Sequence, residues 1–126
     1  PPAIGTMGRE RAERFADYWN GPGAWQAMPE ERRVTFADAL RPNYHEWDAV
    51  MHETTSASEW SRQLPPETLL ACDPQTVRPI REIDDILHQA CPAWKRAAIT
   101  GGGHMAPLTR PDLVNPIVGS FLRGDH

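Results

Sequence analysis

The residues best placed to do chemistry are a glycine run and a histidine, GGGHMAPL at 101–108. Just before them Ala97, Ala98 and Ile99 read as a short strand. The glycines therefore let the backbone turn sharply at a strand's carboxyl end and present the His104 imidazole there. Asp73 follows a second short apolar run, TLLAC at 68–72. If the two strands are neighbours, carboxylate and imidazole emerge at the same edge and the carboxylate orients the ring. Such a pair is a general base with the acid that holds it. Two plainer readings stand beside this one: His104 as a structural loop histidine, and Asp73-Pro74 as a turn former.

The remaining candidates point to packing. No Arg or Lys flanks Cys72 to lower its pKa, so it reads as a small buried hydrophobe, and Cys91 before Pro92 as a helix-end packing residue. His45 and His52 are spaced to share a helix face but have no third ligand, so no metal site and no cofactor are expected. Of five Trp, Trp19 and Trp47 fall on helical apolar stripes. Trp25, in a Gly-rich turn, is the candidate pocket wall, and Met105 beside the histidine is the other candidate substrate contact. Arg32-Arg33 are balanced by Glu30-Glu31 and read as a solvated face.

These residues need elements to hold them. In RERAERFADYWN, Ala12, Phe15, Ala16 and Trp19 follow the i, i+3, i+4, i+7 rule, and Asn20-Gly21-Pro22-Gly23 ends that helix. A second helix is predicted from Pro29 through Val34, Phe36, Ala37 and Leu40, to be bent or ended by Pro42. Tyr44, Trp47, Val50 and Met51 mark a third, and Ser56-x-x-Glu59 has capping-box form. From Leu64 strand and helix alternate. Strand 68–72 precedes a helix from Pro79 with Ile80, Ile83, Leu87 and Ala90 on one face and Asp84 and Asp85 solvated. The second strand leads into a last helix that Thr109 is placed to cap, with Asp112 three residues on.

Strand, helix, strand, helix is the grammar of a parallel sheet with right-handed crossovers. Two strands alone leave such a sheet without neighbours, and residues 1–63 read as helical. The fold class expected is therefore α/β, with a helical segment over 1–63 and a β-α-β-α unit over 64–126 that is an incomplete piece of a parallel sheet. Composition agrees. Leu, Ile, Val and Phe make up 22 of 126 residues, about 17%, below the roughly 20% that usually builds a core. The chain starts Pro1-Pro2 without an initiator Met, as fits a processed or excised piece of something larger, or a product cleaved from a tag.

Charge narrows the partners. A formal charge of -4 gives no pull toward nucleic acid or an anionic membrane. No apolar run approaches the ~20 residues of a membrane helix, and PPAIGTMGRE lacks the layout of a signal peptide. Two cysteines without metal-ligand spacing suit a reducing cytosol.

The second half resembles the C-terminal portion of the α/β-hydrolase superfamily. TLLACD at 68–73 and AITGGGHMAPLTRPDLVNPIVGSFL at 98–122 match in order its acid-bearing loop, last strand, Gly-His-Met loop and closing helix. FADYWNGPGAW at 15–25 is similar to the lid that members insert before the last two strands, so the resemblance spans roughly residues 10–123. It implies His104 as catalytic base, Asp73 as acid, and an intact enzyme that hydrolyses an ester or related bond of a small, mostly apolar molecule. No Gly-x-Ser-x-Gly or equivalent elbow occurs. Ser120 and Thr100 sit in the wrong context, and Ala71-Cys72 stand where the family usually has Gly before the acid. The chain alone is thus not expected to be active, and needs either a missing N-terminal part or a second copy to complete the sheet. The alternative from another class is a non-catalytic helical module that binds a partner or itself through its open edges.

Overall fold

In the computed structural model, which describes residues 6–125, the chain is mixed α/β, mostly helical, and divides into two compact units, Pro1–Thr54 and Thr55–His126. Pro1 and Pro2, and the side chain of Tyr44, lie outside the described residues. No helix among the described residues is long and apolar enough to cross a membrane.

The first unit is helical. Helix α1 (Thr6–Asn20) turns Ala12 and Ala16 fully inward, with Phe15 and Trp19 half-buried beside them. It stops where the sequence breaks, at Gly21 and Gly23, whose φ of 98° and 85° side-chain-bearing residues resist. The single turn α2 (Ala24–Ala27), which sequence periodicity is too coarse to show, follows at once. Its Trp25 N–H donates to Asp17 Oδ1 at 2.8 Å. Helix α3 (Glu30–Ala39) opens after Pro29 with Glu30 and Glu31 in its first turn, where carboxylates oppose the helix dipole favourably. Arg9 reaches from α1 to pair with Glu30. The core is Ala12, Ala16 and Trp25, packed on by Met28, Phe36, Ala37 and Leu40. Helix α4 (Asn43–Met51) forms as predicted, yet Trp47, Val50 and Met51 are exposed, because the core closes between α1, α2 and α3 without it.

The second unit holds the sheet. Helix α5 (Ala57–Gln63) begins in the expected capping box: Ser56 Oγ accepts from the Glu59 N–H, and Glu59 accepts from the Ser56 N–H at 2.8 Å. It packs on α6 (Arg78–Ala90). Strands β1 (Leu69–Cys72) and β2 (Lys95–Ala98) pair parallel, with Leu69 opposite Lys95 and Cys72 opposite Ala98. Successive side chains on a strand alternate faces, so the contacts of β2 place the layers. Arg96 reaches Asp84 on α6, while the Lys95 ammonium lies 5.5 Å from the Phe121 ring of α8 (Pro111–Arg123). Helix α6 therefore lies on one face of the sheet and α8 on the other, while Lys95, Arg96 and Ala98 of β2 stay exposed. Between β2 and α8 runs a single turn, α7 (Ala106–Thr109), and Ile99, Ala106 and Val114 form the core on this side with Leu113 and Ile117.

Two expectations are corrected. Asp84, expected in solvent, is 8% exposed, and Ile83 is exposed instead. The ion pair with Arg96 explains the rotation of α6: Arg96 Nε donates to Asp84 Oδ2 at 2.8 Å, and a carboxylate so paired is tolerated inside. Thr109 does not cap α8. It ends α7, where its hydroxyl donates to the Met105 carbonyl at 3.1 Å, and Arg110 occupies the cap position. Helix α8 continues through Pro116, which lacks the N–H for one backbone bond.

Candidate functional site

Both candidate residues lie where β1 and β2 end. The ladder runs to the strand ends, where the Ile99 N–H donates to the Cys72 carbonyl at 3.0 Å, so Asp73 and the glycine run leave the sheet side by side. The Asp73 side chain is 6% exposed, and both its oxygens are used. Oδ1 accepts from the Gln75 N–H at 2.9 Å, closing a tight turn that the Thr76 N–H tightens further by donating to the Asp73 carbonyl at 3.0 Å. Oδ2 crosses to the neighbouring loop and accepts from the Gly103 N–H at 2.6 Å. A buried carboxylate is thereby compensated by backbone donors and fastened one residue from His104.

Each glycine of the loop has its own reason. Gly101 and Gly103 take φ of 77° and 70°, the left-handed region. Gly102 is held by space: a Cβ there would meet the Ala106 Cβ at 2.7 Å and the Ile99 Cγ2 at 2.8 Å. His104, which follows, is exposed, and Met105 is exposed at the start of α7. Asp73 and His104 are thus on adjacent loops joined by the bond from the Gly103 N–H to the Asp73 carboxylate, while Trp25 belongs to the first unit. Trp25 is 1% exposed in the first unit's core, edge-on to Phe36 at 6.3 Å, with the Arg33 guanidinium 5.7 Å from its ring. No indole surface is left for a ligand, so its place is packing and not a pocket wall.

Sequence reasoning missed the parts that hold the pair. Thr76 is buried with its hydroxyl unpaired among the described residues, and Gly102 is a packing contact. The Asp-Pro-Gln-Thr string carried a signal for the turn, since Asp readily bonds the backbone two residues on. The close approach of Gly102 had none.

A cleft of about 710 Å³ opens on the α6 face, lined by Cys72, Arg81, Asp84, Asp85 and Arg96 among others. Neither Asp73 nor His104 lines it. Burial first, then the Asp84 and Asp73 carboxylates, push the Cys72 thiol above its ordinary value, against only a weaker pull from Arg96. A thiol so shifted stays protonated at neutral pH and is a poor nucleophile. In a Cys91→Ala background, Cys72 is therefore expected to react with iodoacetamide at neutral pH more slowly than free cysteine, with the rate rising steeply in alkaline solution. Mass spectrometry of timed samples checks this. Alkylation as fast as the free amino acid would contradict it.

No group of three or more His, Cys, Asp or Glu among the described residues could hold a metal ion. Compared with protein-family models, curated proteins and solved structures, the chain matches none.

Proposed function

We propose that this chain carries the acid–base half of a hydrolytic site. His104 is the general base and Asp73 the acid that fixes its loop and ring. The bond cleaved is an ester or related bond of a small, mostly apolar molecule. The observation that carries the reading is the 2.6 Å hydrogen bond from the Gly103 N–H to Asp73 Oδ2, which ties the ends of two adjacent parallel strands beside the histidine. In support, ligand chemistry on open parallel sheets collects at the carboxyl ends of the strands. The resemblance of residues 68–73 and 98–122 to the last strands of α/β hydrolases points the same way, with residues 15–25 in its lid.

The nucleophile has to come from outside this sequence, which has no elbow motif. In the complete site a hydroxyl gives its proton to His104 as it attacks the acyl carbon, and the imidazolium returns it to the leaving alkoxide. Two free cysteines suit a reducing cytosol as the setting.

Without nucleophile and oxyanion donors, only slow imidazole chemistry on an activated ester remains. His104→Ala is expected to remove most of the chain's p-nitrophenyl acetate hydrolysis, while His52→Ala, at an exposed position just past the end of α4, leaves it unchanged. Equal losses in the two variants would count against the proposal.

A further inference from the structure

We draw no further inference here: the strongest candidate, the cleft on the α6 face of the sheet, offers a ligand only the exposed Arg81 and the uncapped start of that helix, since the Arg78 and Arg96 guanidiniums that also line it are already paired with Glu82 and with Asp84 and Asp85, and nothing in the structure shows what fills it.

Discussion

Trp25→Ala is expected to destabilise the first unit by about 3–5 kcal/mol, the usual cost of emptying a core aromatic site. The indole is 1% exposed and is the largest fully buried side chain of the described residues, with Ala12 and Ala16 against it. Those two alanines are small and sit on a helix, so they cannot swell into the space, and the site should collapse poorly. The Asp17 bond to the residue 25 N–H survives, because it uses the backbone. Removing the ring also strands Arg33, which lies over it and donates to the Met28 and Gln26 carbonyls at 2.9 and 2.8 Å. Urea unfolding followed through the amide signals of Ala12 and Ala16 measures the loss. A change within about 0.5 kcal/mol, the range of an ordinary surface substitution, would show that the indole is not core.

Gly102→Ala should cost about 1–3 kcal/mol through overpacking, and should move the loop that carries His104. The added methyl meets the Ala106 Cβ and the Ile99 Cγ2 far inside contact distance. Ala106 is 1% exposed and has no rotamer to change, and Ile99 is buried in the same cluster, so the backbone has to give. Gly101→Ala makes the comparison. No atom lies within 4 Å of its added methyl, and its cost is the left-handed φ alone, roughly 1–2 kcal/mol. The two differ in kind as well as size. Only Gly102→Ala should shift the Gly103 amide resonance by lengthening its bond to Asp73, and an unshifted resonance would contradict the packing account.

Much of the frame was legible because it is written in local pattern. The apolar spacing of Ala12 and Ala16 gave α1, the Ser56 and Glu59 pair gave the start of α5, and the apolar runs before Asp73 and Gly101 gave both strands and their common edge. What the pattern could not carry was pairing at a distance. Asp84 looks solvated by polarity and is buried because Arg96, twelve residues on and on another element, neutralises it. Trp25 looks like a pocket residue because glycines precede it, and is core because α1 presents two alanines to it. Thr109 looks like a cap, but the chain re-enters a helix immediately after Met105 and takes the threonine into it. At the candidate site, residue type singles out Asp73 and His104, while the hydrogen bond that joins their loops belongs to the backbone of Gly103, which residue type does not reveal.

The most direct test of the Asp73–His104 pair is the nitrogen NMR spectrum of His104 in the chain and in Asp73→Asn, recorded where the imidazole is neutral. A carboxylate that orients the ring holds the proton on Nδ1. The account predicts the Nδ1–H tautomer in the wild type and its loss, together with a shifted Gly103 amide, in Asp73→Asn. An Nε2–H tautomer that is the same in both would contradict it and leave Asp73 as the fastener of a structural loop.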